Sequence, residues 1–209
     1  MQPLTELVNQ IADHFEHIIQ DHAHNLQVIP TEDYGWHNTR WFSAQFRLAH
    51  MERFVQPKFS VLHMVIWPHV TDPAPIFGFD VIASDKLVTG LFWDLSPTVQ
   101  PSVPFYSGVC EAPRERPTWG DIFSENWVAC KPTRSELEHI GESAGEVLQE
   151  YLNSLSKSHT PRVHDVIQAQ NRYSLMQRQN EHTTRVILKL LGEHRGTEFI
   201  NHILFPTIS

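Results

Sequence analysis

Residues 60–83 read SVLHMVIWPHVTDPAPIFGFDVIA, and this stretch decides the fold. It holds two apolar runs of strand length, SVLHMVIW (60 to 67) and IFGFDVIA (76 to 83), rich in β-branched and aromatic residues. Pro68 stops the first run, and VTDPAP (70 to 75) supplies the turn or loop between them. Gly78 allows a bulge or a close approach inside the second run. Ser84-Asp85-Lys86 then makes a hairpin link into LVTGLFWDL (87 to 95). Upstream, residues 38 to 48 read as one further strand, with Trp41, Ser43 and Gln45 alternating against Phe42, Ala44 and Phe46. Neighbouring strands joined by short links predict an antiparallel sheet.

Helices flank this block. Leu4, Leu7, Val8, Ile11, Phe15, Ile18 and Ile19 recur at helical spacing over 4 to 20. A loop is expected from there through Pro30 and Gly35. Residues 95 to 120 read as a loop with one short element, and WVAC (127 to 130) as a last strand. Thr133 and Glu136 form a capping box for a helix over 134 to 154. Two more helices are predicted, at 164 to 191 with a possible break and at 196 to 205. Both strand faces are apolar, so helices must cover both. The expected fold is α+β: a three-layer α/β/α sandwich around a central antiparallel β-sheet, one domain over residues 1–209.

Composition excludes several classes. The 209 residues carry 24 acids against 16 bases, a net charge of −8, which argues against a bulk electrostatic nucleic-acid binder. Two cysteines, Cys110 and Cys130, make neither a disulfide framework nor a cysteine-rich metal site. No apolar run approaches the about 18 residues of a membrane span, and MQPLTELVNQIADHF lacks the apolar core of a signal peptide. A cytoplasmic protein is expected, and nothing demands more than a monomer. His14 and His17 read as surface histidines and no metal site is expected. Charge is uneven, however. Residues 161 to 195 hold six bases (Arg162, Arg172, Arg178, Arg185, Lys189, Arg195) and three acids (Asp165, Glu181, Glu193), a local excess that suits either a solvated helix face or an acidic partner.

Four polar residues interrupt the apolar strands: His50, Glu52, His63 and Asp80. Burying imidazole or carboxyl groups is costly unless they are hydrogen-bonded or used. Each alone reads as a satisfied structural group. Brought together in space, they would shift one another's pKa values and suit proton donation.

The motifs FRLAHMER, VLHMVIWP, PIFGFDVIA, DLSPT (94 to 98), RPTWGDIFSE (116 to 125), QNEHTTRVILKLLG and INHILFP occur in this order from Phe46 to Pro206. Together they resemble the ferredoxin-dependent bilin reductases, with the phycocyanobilin-forming branch and its viral or bacterial phycoerythrobilin-forming relatives the nearest in pattern. The resemblance implies an open tetrapyrrole held between the sheet and the C-terminal helices. It implies electrons delivered singly by reduced ferredoxin, radical intermediates, and no tightly bound cofactor. It places His63 and Asp80 at the family's central histidine and aspartate, with Asp80 donating a proton to the bilin and His63 relaying. Glu52 falls on the glutamate linked to reduction of the D-ring vinyl group, with His50 beside it.

By the same resemblance Glu181 stands at a helix aspartate important for A-ring reduction, and Asn180 orients it with Thr183. Lys131 and His182 fall where relatives carry an arginine and a lysine for the propionates. The implied activity is four-electron reduction of biliverdin IXα, with phycocyanobilin favoured. The substituted Glu181, Lys131 and His182 keep phycoerythrobilin as the competing product. A bilin-binding protein without catalysis is the alternative of a different class.

Overall fold

Strands that are apolar on both faces need cover on both sides, and the chain supplies it from its two ends. The computed structural model describes residues 3–29, 35–99, 113–155 and 159–209. Helix α1 (Leu4–Gln20) leads into strands β1 (Asn25–Ile29), β2 (Trp36–Phe42), β3 (Phe46–Gln56), β4 (Phe59–Pro68), β5 (Ile76–Ser84) and β6 (Val88–Ser96). A 3-10 turn (Gly120–Ile122) and strand β7 (Val128–Cys130) follow, and then helices α2 (Arg134–Ser154), α3 (Val163–Gln177), α4 (Glu181–Leu191) and α5 (Glu193–Phe199). Each strand pairs antiparallel with the next, so the seven lie in the order of the sequence. The α+β sandwich around a central antiparallel sheet is the observed fold.

Helices α1 and α2 cover one face. Val8, Phe15 and Ile19 of α1 and Ile140, Ala144 and Leu148 of α2 share one core with Met64, Phe79 and Trp93 of the sheet. Burying each large apolar side chain contributes about 1.5–3 kcal/mol. The capping box fixes the start of α2: the Thr133 side chain accepts from the Glu136 backbone N–H, and the Glu136 carboxylate accepts from the Thr133 backbone N–H at 2.7 Å. Helices α3 to α5 cover the other face through two smaller apolar groups, around Trp67 with Tyr173 and around Trp36 with Phe199 and Leu204.

Three local readings are corrected, and the possible break in a fourth is located. The strand expected over 38 to 48 is two strands, because Ser43 turns the chain: its N–H bonds to the Phe46 carbonyl and its hydroxyl to the His22 carbonyl. The expected loop after α1 contains β1, an edge strand whose side chains are mostly exposed and so show no apolar alternation. The helix expected over 164 to 191 breaks after Gln177, where the Asn180 side chain caps a new helix, α4. The last helix starts at Glu193 rather than 196, after Gly192 turns the chain with φ 78°. Much of the 95 to 120 loop, residues 100–112, lies outside the described residues.

Two glycines let α1 and α2 approach. A Cβ on Gly141 would lie 2.8 Å from the Ile11 side chain, and one on Gly145 would lie 2.5 Å from the His14 ring. Ile11 is buried, whereas His14 is exposed and can swing away. Gly145→Ala is therefore expected to raise stability by about 0.5–1 kcal/mol through helix propensity. Gly141→Ala is expected to lower it by about 1–3 kcal/mol through overpacking. Urea melts of the two variants check this, and equal stabilisation by both would contradict the packing account.

Candidate functional site

Antiparallel register places one polar row across the middle of the sheet. Asn38 on β2 pairs with Glu52 on β3, Glu52 with His63 on β4, and His63 with Asp80 on β5. Asp80 then pairs with Phe92 on β6. Directly paired residues share a face, so all five point toward the α3–α5 layer. The adjacent row on that face is Arg40, His50, Val65, Gly78 and Asp94. His50, Glu52, His63 and Asp80 are thus brought together, in central strands rather than at an edge.

The row is hydrogen-bonded. His63 Nδ1 meets Asp80 Oδ1 in a short contact. The Trp36 indole N–H donates to Glu52 Oε1 at 2.7 Å. His50 Nε2 lies 3.0 Å from Asn38 Oδ1, so a neutral His50 donates there. His50 Nδ1 and His63 Nε2 are buried with no hydrogen-bond partner among the described residues. Asp80 is the open end, its side chain 31% exposed against 9% for His63.

Burial pushes the Glu52 pKa up, against the opposing pull of the His63 charge and the Trp36 hydrogen bond; the Asp80 charge adds to the rise. Burial pulls His63 down, but the charge and hydrogen bond of Asp80, with the charge of Glu52, outweigh it and leave the imidazole raised. His50 is held well below its usual range by burial, then by the charges of His63 and Arg40. The row therefore holds an acid that resists ionising and an imidazole that holds its proton more tightly than usual, and the adjacent row holds an imidazole that resists taking one. Protons in such a set belong to the group rather than to single residues.

Asp80 opens into a narrow crevice with a cavity volume of only about 10 Å³, lined also by Phe92, Asp94, Trp127, Tyr173 and Gln177. One wall is aromatic. Trp127 stacks on Phe123 at 5.2 Å and on Phe92 at 6.3 Å, with the Arg116 guanidinium 5.0 Å above its ring. Arg116 also holds that wall in place, donating to the carbonyls of Gly120, Phe123 and Ser124. On the other side Phe205 stands edge-on to His63, ring centroids 5.7 Å apart. Flat aromatic walls beside a proton donor suit a planar conjugated ligand.

The remaining expected site residues sit apart from the row. Glu181 and His182 are exposed in the first turn of α4, and Lys131 is exposed just after β7. Asn180 accepts from the backbone N–H groups of His182 and Thr183, so it fixes the start of that helix. Both ring nitrogens of His22 are taken by Gln45 and Gln149. Trp36, Trp41, Trp67 and Trp93 are core; Trp127 is half-buried at the site.

Sequence reasoning missed Asn38, Trp36, Asp94, Tyr173 and Phe205. Asp94 carried the signal used for Asp80, an acid inside an apolar strand. It accepts from the Ser96 hydroxyl at 2.6 Å and from the Ser124 backbone N–H at 3.0 Å, tying β6 to the aromatic wall. Asn38 lies in register with Glu52, which pairing alone reveals. Tyr173 and Phe205 have no local signal, because only packing brings them to the sheet.

Comparison with known proteins covers the sheet and both helical layers. The family model for ferredoxin-dependent bilin reductases matches residues 9–206. The phycocyanobilin:ferredoxin oxidoreductase of Trichodesmium erythraeum is 31% identical over 187 residues, covering 81% of this chain and 76% of that one. The enzyme of the same name from Prochlorococcus marinus is 29% identical over 193 residues, covering 83% and 76%. Among solved structures, that of the protein named PcyX matches with a TM-score of 0.67 and 27% identity, over 97% of this chain and 99% of that one. Tomato phytochromobilin synthase, solved in complex with biliverdin, shares the fold with a TM-score of 0.71 at 15% identity, over 94% and 82%. The polar row and the helices that cover it all fall inside the matched span, and the chain belongs to the ferredoxin-dependent bilin reductase family.

Proposed function

We propose that this chain reduces biliverdin IXα by four electrons, supplied singly by reduced ferredoxin, with phycocyanobilin as the product. Four electrons require four protons for balance, and the protons must come from groups beside the substrate. The observation that carries the reading is the register-paired row Glu52–His63–Asp80, where burial raises the Glu52 pKa and neighbouring charge raises that of His63, so both hold their protons more tightly than usual. The proton that His63 holds passes across their hydrogen bond to Asp80, the exposed end, which delivers it to the bilin and is left a carboxylate again beside a neutral His63. Glu52 serves the D-ring side, oriented by Trp36 and flanked by neutral His50.

The crevice's cavity volume of about 10 Å³ is far below the roughly 300–1,000 Å³ of ordinary ligand pockets, so a tetrapyrrole must displace side chains over the row, Phe205 among them. Lys131 and His182, both exposed cations or potential cations, would meet propionates at the solvent side. Lysine keeps the charge but not the bidentate fork of arginine. The basic stretch over α3 and α4 suits docking of a small acidic ferredoxin. Glu181 reaches one methylene farther than the aspartate it stands for, which favours phycoerythrobilin as the second reading. No helix among the described residues is long and apolar enough to cross a membrane.

An anaerobic assay with biliverdin and a reduced ferredoxin system, products separated by chromatography, tests the reading. Phycocyanobilin supports it, phycoerythrobilin supports the second reading, and bilin binding with no product makes the chain a binder. Asp80→Asn should retain bilin while turnover falls roughly 10²–10⁴-fold. Turnover at the wild-type rate would remove Asp80 from its role. Glu52→Gln should accumulate a two-electron product with the D-ring vinyl intact; an unchanged final product would refute that assignment.

The same electrostatics set a pH dependence. His50 resists protonation in the fold, whereas the unfolded chain takes that proton near the ordinary imidazole value of 6.5, so its contribution to stability is lost as pH falls below 6.5. The raised Glu52 and His63 act oppositely, favouring the fold at lower pH. His50→Gln keeps a donor for Asn38 but does not titrate. Urea melts at about pH 7.5 and about pH 5.5 should show the variant losing less stability on acidification than the wild type. Equal losses would show that His50 is not held neutral.

A further inference from the structure

Tyr173 enters the site from α3 and belongs to none of the roles above. It is 3% exposed, and its ring packs edge-on against Trp67 at 6.4 Å. The Gln177 side-chain N–H donates to its hydroxyl oxygen at 3.1 Å. The phenol's own proton has no acceptor among the described residues. A buried donor without an acceptor is costly, so its persistence calls for a use.

The hydroxyl sits over Gly78. A Cβ there would lie 3.2 Å from it. Glycine inside a strand is destabilising, and here it leaves the space that the hydroxyl occupies. Gly78 shares a face with Asp80 two residues on, and it pairs across the sheet with Asp94. Both carboxyl groups and Tyr173 line the same crevice. Burial, with the charges of Asp80 and Asp94, pushes the phenol pKa upward, so it stays a donor throughout the working range.

We propose that Tyr173 is a further substrate-contacting residue, its O–H donating a hydrogen bond to a lactam carbonyl oxygen of the bound bilin beside Asp80. The two flanking acids repel a propionate from this position, whereas a neutral carbonyl meets a donor and no competing charge. The hydroxyl is fixed before substrate arrives, by Gln177 at its oxygen and by Trp67 against its ring. This role rests on the bilin reading given above.

The test uses the full chain as wild type, Tyr173→Phe and Gly78→Ala, titrated with biliverdin by visible absorption and then supplied with reduced ferredoxin. Tyr173→Phe removes only the hydroxyl; it should shift the bound bilin's absorption band and weaken binding roughly threefold to tenfold. Turnover should fall about tenfold or more, as for loss of one donor to a reacting carbonyl. Gly78→Ala should push the hydroxyl aside and reproduce the band shift, which keeps the test decisive should Tyr173→Phe fold poorly. A Tyr173→Phe protein with the wild-type band, affinity and rate would overturn the proposal and leave the bilin reading intact. A residue that serves only to hold Gln177 would change the melting temperature and none of these. A wild type that neither binds nor reduces biliverdin would instead overturn the bilin reading, and this role with it.

Discussion

The contact between His63 and Asp80 is the constraint on which the rest depends. Two ionisable side chains meet on the inner face of a sheet, one of them almost fully buried. Desolvating such groups costs several kcal/mol unless they are paired and hydrogen-bonded. Pairing demands that β4 and β5 keep their register, because a slip of one residue would turn every side chain to the opposite face. That slip would drive His63 into the apolar core under α1 and expose Leu62 and Met64, both fully buried. The apolar pattern of VLHMVIW thus enforces the geometry of the polar pair.

From that pair the site extends by the same logic in both directions. Toward β3, Glu52 adds a carboxyl whose pKa burial raises, held by the indole of Trp36. Toward β6, the sheet becomes aromatic, and Arg116 fastens Phe123 and Trp127 over it. The C-terminal layer is tied down across the same face: the Arg40 guanidinium donates to the carbonyls of His202 and Ile203, and Gln170 to that of Pro68. A family whose chemistry is bilin reduction needs protons inside and a flat ligand surface at the opening. The sheet provides both on one face, while the other face is committed to the core.

Much of this was legible in the sequence, and the exceptions have physical reasons. The capping box at Thr133 and Glu136 placed α2 over its observed range, because a cap is a local chemical signal. The runs around His63 and Asp80 read as strands because they alternate into two apolar faces. Strand β1 did not, since an exposed edge strand buries almost nothing. The turn at Ser43 was hidden because it contains neither glycine nor proline, and its hydrogen bonds reach His22 and Phe46. His50, Glu52, His63 and Asp80 stood out as polar residues in apolar runs, and pairing put them together. Asn38, Tyr173 and Phe205 were invisible because their place in the site comes from tertiary contact alone.

The central claim is that His63 keeps its proton because Asp80 and Glu52 outweigh its burial. The direct measurement is a titration of the imidazole nitrogens by ¹⁵N NMR, in the wild type and in Asp80→Asn. Wild-type His63 is expected to titrate above the ordinary imidazole value of 6.5, and Asp80→Asn to move it downward, with His50 neutral in both. A His63 midpoint at or below 6.5 in the wild type would contradict that claim.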